Sequence, residues 1–124
     1  MDDARLRPRE HLRGDGTFER IRRRGLSAGD EVLYVRGMAN DLGHARLGLA
    51  VGRGSGGAVQ RARLRRMIRE AFRLNKGQLP RGLDLLVSPR PRAFEAPLAA
   101  VGRSLITLAG QLAGKLQRKK RGTE

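Results

Sequence analysis

The sequence predicts a small protein in which strands and helices share one domain, an α+β or two-layer α/β arrangement with a mixed sheet and three helices. Three observations carry this. After the glycines at 52–57 comes an unbroken helical pattern that ends near Lys76 and Gly77, with Leu64, Met67, Ile68, Ala71, Phe72 and Leu74 recurring mostly at three- and four-residue steps. Short apolar runs stand on both sides of it, Leu47, Leu49 and Val51 before and Leu83 to Val87 after. A strand, helix, strand order of this kind normally gives a parallel pair with the helix crossing over. At 124 residues the chain is long enough to bury a core without staples.

Taken in order, residues 1–13 are polar and mixed in charge, interrupted by Pro8, and read as a flexible basic arm in which Arg5, Arg7 and Arg9 stand near one another. Asp15 suits a helix N-cap and Gly25 a helix stop, with Phe18 and Ile21 sharing one side of the short helix between them. A turn is expected at 27–30, then a strand from Glu31 to Ala39, a hairpin connection at 40–43, and a second strand from Ala45 to Gly52. Alternation puts Leu33 and Val35 with Leu47, Leu49 and Val51 on a buried face. It leaves Val32, Tyr34 and Arg36 beside Arg46, Gly48, Ala50 and Gly52 on the other. That second face is a shallow trough of small residues, flanked by an aromatic ring and two cations, into which a single nucleic-acid strand can settle. The competing reading is that the first helix covers it and Tyr34 and Phe18 are ordinary core.

Glycines 52, 54, 56 and 57 join the second strand to the long helix. The spacing of a triphosphate-binding loop is absent, and the match to GlyxGlyxxGly has no acid at the end of a second strand to support it. A tight joint whose amides and Arg53 lie at a helix N-terminus, where anions are favoured, fits better. A third strand spans 83–87 and is stopped by Pro89 and Pro91, with Arg81, Arg90 and Arg92 bracketing it; Asp84 inside it reads as a structural contact. Leu98, Val101, Leu105, Leu108, Leu112 and Leu116 then mark a final helix over 94–116, with Pro97 in its first turn. Residues 117–124 read as a disordered basic tail, leaving 14–116 as the folded domain.

Charge narrows the function. Lysine and arginine number 27 against 12 acids, a formal net charge of +15, which points to nucleic acid or an anionic surface. Along the long helix Arg61, Arg65 and Arg69 follow at four-residue steps, with Arg66 and Arg73 on the adjoining strip and only Glu70 as a balancing acid. Like charges so stacked repel by a few tenths of a kcal/mol per pair, about the amount measured in isolated helices. A polyanion along this face converts repulsion into attraction, since guanidinium forks match phosphate oxygens. A membrane surface is disfavoured: there is no tryptophan, and no apolar run approaches the roughly 20 residues of a span. With no cysteine and no secretory signal pattern at the N-terminus, a cytoplasmic location is expected. His11 and His44 are isolated, and the acids show no metal-ligand or catalytic spacing.

Residues 48–72, from GlyLeuAlaValGlyArg through ArgAlaArgLeuArgArgMetIleArgGluAlaPhe, resemble the signature region of the protein subunit of bacterial ribonuclease P. Phe18 with Gly25 seven residues on, the strand around Val32 to Tyr34, and the apolar strand at 83–87 extend the resemblance to about residues 5–116. It implies a ribosomal protein S5 domain 2-like fold with a left-handed βαβ crossover, against the usual handedness. It implies a large catalytic RNA as partner, precursor tRNA as substrate, and Mg²⁺ held mainly by RNA and substrate, with no DNA or membrane partner. The endonucleolytic step removes the 5′ leader and leaves a 5′-phosphate on the tRNA. By the same resemblance Arg53, Arg61, Arg63, Arg65, Arg66 and Arg69 face the catalytic RNA. Phe18 and Tyr34 face the leader, with Arg22, Arg36 and Arg46 as cations beside them. Ala62 stands where the family has asparagine, Gly54 and Ser55 replace a basic and an apolar residue, and Arg22 takes a place often aromatic. The alternatives are a general structured-RNA-binding protein, which charge alone would give, and a DNA-binding helix-turn-helix, which the flanking strands disfavour.

Overall fold

The computed structural model describes residues 6–12 and 16–122, the last two by backbone only. Helix α1 spans Thr17–Arg24, strand β1 Leu26–Gly29, β2 Leu33–Ala39, β3 Arg46–Leu49, helix α2 Ala58–Leu74, β4 Leu83–Pro89 and helix α3 Leu98–Gly122. The strands form one mixed sheet in the order β1-β2-β4-β3. β2 is antiparallel to β1 and β4, while β3 runs parallel to β4, with α2 as the crossover between them.

Two expectations about the sheet are corrected here. β2 and β3 are not hairpin neighbours, because β4 inserts between them with Val35 opposite Val87 and Leu47 opposite Leu85. β4 is buried along Leu83 to Val87, which is what a strand covered on both faces requires. The turn expected at 27–30 is instead strand β1 followed by a turn at Asp30, whose Oδ1 accepts from the amides of Val32 (2.8 Å) and Leu33 (2.9 Å). Val32 lies in that turn, before the alternation of β2 begins, so it packs on the helix side and not in the trough.

One sheet face, with Leu33, Val35, Leu47, Leu85 and Val87, packs on Ile68, Ala71 and Phe72 of α2 and Val101, Leu105, Leu108 and Leu112 of α3. Burying each such side chain contributes about 1.5–3 kcal/mol. Leu74 is the exception in the α2 stripe, 54% exposed beside Leu98 and Ala99. Two residues past Phe72 is a rotation of about 200°, which turns it away from the core.

The ends also differ from expectation. Gly25 is extended (φ −71, ψ 157), not left-handed, because the chain runs straight from α1 into β1; its amide still closes α1 on the Ile21 carbonyl at 2.8 Å. Asp15, the expected N-cap, lies outside the described residues, as do 1–5 of the arm. Residues 6–12 are a packed strap: Pro8–Glu10 forms a 3-10 turn, His11 bridges Leu47, and the Leu12 amide bonds the Leu47 carbonyl at 2.9 Å. α3 begins at Leu98, Phe94 falling in a separate 3-10 turn, and it continues through 117–122. Arginine, lysine and glutamine are strong helix formers, and nothing before Gly122 stops them.

Candidate nucleic-acid interface

The first surface is α2. The joint before it is a 3-10 turn, Arg53–Ser55, after which Gly56 adopts φ 109 and Gly57 caps the helix. Only glycine is comfortable at Gly56, since a Cβ there would also lie 2.0 Å from the Gln60 Oε1 that accepts from the Gly57 amide. The helix then carries Arg61, Arg63, Arg65, Arg66 and Arg69, with Arg63, Arg66 and Arg69 exposed and Arg61 and Arg65 half-buried. Glu70 is consumed by Arg73, which donates two hydrogen bonds to it. Among the described residues, none of these five arginines, nor exposed Arg53, has an ion pair or hydrogen bond to a protein acceptor. Arg65, Arg66, Arg69 and Arg73 line one side of an open cleft of about 540 Å³, and the strap residues Leu6 and His11 line the other.

The second surface is the sheet face away from α2 and α3, and the structure divides it. At one end, α1 and the strap cover it: Leu12, Ile21 and Leu86 form a small core with Phe18, Met38 and Ala50. Gly48 lets them approach closely: a Cβ would lie 2.9 Å from Leu12 Cδ1 and 3.0 Å from Phe18 Cζ, so both side chains would have to shift. The part of the trough floored by Gly48 is thus filled by the protein's own side chains. Phe18 remains half-buried, and Arg22 is exposed on α1 with Glu19 3.9 Å away.

The two cations expected to flank the trough have internal partners. Arg36 donates to two carbonyls at the end of α1, from Nη2 to Gly25 O (2.7 Å) and from Nε to Ile21 O (3.3 Å), which also accepts from the Gly25 amide, and from Nη1 to Tyr34 Oη (3.3 Å). Arg46 grips Asp84 with Nε to Oδ1 at 2.8 Å and Nη2 to Oδ2 at 2.7 Å, while Asn40 donates to the same carboxylate at 2.7 Å. Asp84 is thus a structural contact, and Arg36 and Arg46 each hold internal partners.

The other half of the face centres on Tyr34, which is half-buried. Tyr34 stands opposite Gly29 on β1 and Ser88 on β4, so its ring rises between small neighbours. The Arg90 guanidinium lies over that ring, 5.5 Å from its centroid. Hydrogen bonds with Ser27 and Arg36, and the charges of Arg36 and Arg90, hold the Tyr34 hydroxyl below its ordinary value against a smaller desolvation effect. Arg90 was visible in the sequence only as a residue flanking a strand. Period two along β4, once Ser88 is known to face Tyr34, is the signal that places it over the ring.

Fold and surface define a small cationic RNA-binding protein: one arginine-rich helix whose single acid, Glu70, is taken by Arg73, and, on the sheet face away from that helix, a half-buried aromatic ring under a guanidinium. The family model for ribonuclease P matches residues 6–113, and the chain belongs to the ribonuclease P protein family. It is 39% identical over 106 residues to the ribonuclease P protein component of Syntrophobacter fumaroxidans, covering 85% of this chain and 89% of the relative. To that of Thermotoga maritima it is 41% identical over 87 residues, 70% of this chain and 74% of the relative. The RNase P protein structure from Thermotoga maritima in complex with 1-(4-fluorophenyl)-2-thiourea superposes with a TM-score of 0.72 at 36% identity, covering 79% of this chain and 95% of that one. The Staphylococcus aureus RNase P protein gives 0.69 at 28%, covering 80% and 91%. The resemblance read from residues 48–72 is therefore correct, and the protein acts with a ribonuclease P RNA. No helix among the described residues is long and apolar enough to cross a membrane.

Proposed function

We propose that this subunit lays the arginine face of α2 on the catalytic RNA and holds the 5′ leader of precursor tRNA on the Tyr34 half of the second sheet face, assisting endonucleolytic removal of that leader. The observation that carries the reading is the row Arg61, Arg65, Arg69 with Arg66, charged and without protein acceptors among the described residues. A leader base stacks on Tyr34 and displaces Arg90 toward the adjoining phosphate. Phe18 borders the path, and Arg22 adds charge from α1.

The RNA carries the chemistry, in which water attacks the phosphodiester and leaves the 5′-phosphate on the tRNA. Mg²⁺ supplies charge neutralisation for such a step. Among the described residues no group of three or more His, Cys, Asp or Glu is arranged to hold a metal ion. Its part is to bind and orient. The test is cleavage of precursor tRNA by the cognate RNA at limiting Mg²⁺. Added protein should raise the rate, and no change at any protein concentration would overturn the reading.

A further inference from the structure

The strap, residues 6–12, reaches both surfaces. Leu12 lies over Gly48 in the covered half of the sheet face, and Leu6 and His11 form the wall opposite Arg65, Arg66 and Arg69. What holds it there is a side chain from the 3-10 turn Lys76–Gln78 that follows α2. Lys76 Nζ donates to both oxygens of Glu10, at 3.1 and 3.0 Å, and Glu10 is only 5% exposed. The Arg7 amide donates to the same carboxylate at 2.7 Å, and the His44 ring contacts the Arg9 carbonyl at 3.0 Å.

We infer that the Glu10–Lys76 ion pair is a latch that holds the N-terminal strap as the second wall of a phosphate-binding cleft whose first wall is the arginine face of α2. The inference rests on the placement of the catalytic RNA against α2. The ligand is a turn of RNA phosphodiester: the cleft offers several guanidinium groups, its one carboxylate, Glu70, is held by Arg73, and Leu6 and Ala62 are apolar patches against which a sugar or base edge can rest. A long arginine is disordered by default, and a fixed opposing wall restricts where the phosphates enter, so the groups bind without first being collected. Lys76 is a positioning residue, acting through the strap.

The test is equilibrium binding of the full chain to the cognate ribonuclease P RNA, without precursor tRNA, over a potassium series. Lys76→Met should weaken binding by roughly tenfold or more, equivalent to losing one charge-assisted contact, and Lys76→Arg should retain it. In an Arg69→Ala background Lys76→Met should cause a smaller loss, since both act through one cleft. His44→Ala, which loosens the strap without stranding a buried carboxylate, should weaken binding in the same direction and decides the matter if Lys76→Met fails to fold. Folded Lys76→Met that binds like the parent, or losses that simply add with Arg69→Ala, would overturn the latch. Failure of the parent protein to bind the RNA alone would instead remove the α2 reading beneath it.

Discussion

Arg46 and Asp84 meet in a two-pronged ion pair between neighbouring parallel strands, and the carboxylate side chain is 8% exposed against 24% for the arginine. Breaking such a pair strands a buried charge, which costs more than the pair itself contributes. Arg46→Ala should therefore lower unfolding free energy by about 2–4 kcal/mol in urea titration, with Asn40 retaining part of the carboxylate's satisfaction. A stable Arg46→Ala protein that loses only leader affinity would return Arg46 to the nucleic-acid surface.

Tyr34→Ala should weaken binding of precursor tRNA with a long leader by about 1–3 kcal/mol, the value of one lost stack, and leave leaderless tRNA unaffected. Arg90→Ala should weaken the leader-bearing substrate less. Equal losses on both substrates would assign Tyr34 to folding.

Among the described residues Arg61, Arg65, Arg66 and Arg69 have no protein acceptors to lose, so replacing any one with alanine should leave the melting temperature nearly unchanged. The dependence of RNA affinity on salt should become shallower by about 0.7–0.9 per phosphate contact removed. A large thermal destabilisation would show these side chains packing the protein and not an RNA.

Acid sensitivity should centre on Asp30 and Glu10. Burial pushes the Asp30 carboxyl up, but the Ser104 hydroxyl, the Leu33 and Val32 amides and the Arg90 charge together hold it below its ordinary value of 3.8. A depressed folded-state value means its stabilisation is complete above the unfolded value and is lost as pH falls through the folded one. Ser104 Oγ donates to Asp30 Oδ2 at 2.6 Å. Ser104→Ala should cost about 1–2 kcal/mol at neutral pH, and the gap to the parent should close as the solution is acidified below about pH 4. A gap independent of pH would assign the loss to packing.

Helices were the legible part of this chain, because α2 and α3 repeat their apolar residues over four or more turns. β1 was not, since LeuSerAlaGly has neither alternation nor branched residues, and only its pairing with Gly37 to Tyr34 makes it a strand. The place of β4 was legible in kind: a continuous apolar run signals cover on both faces, and hence a central position. The α2 arginines were legible because a missing acid is a local property. Arg36 and Arg46 were not, because their partners lie 15 and 38 residues away, and a cation with a distant acceptor looks the same in sequence as one without. The strap escaped for the same reason, its anchor being 66 residues on at Lys76.

The outer strands also bear on solubility. β1 is four residues long and Lys115 occupies the Ser27 carbonyl, while Leu12 takes the Leu47 carbonyl on the opposite rim. Neither flank presents a long row of vacant amides and carbonyls to a neighbouring molecule. Such short, occupied rims guard against strand-to-strand growth into fibrils, and trimming the first dozen residues, which uncovers the Leu47 carbonyl, should make the protein precipitate.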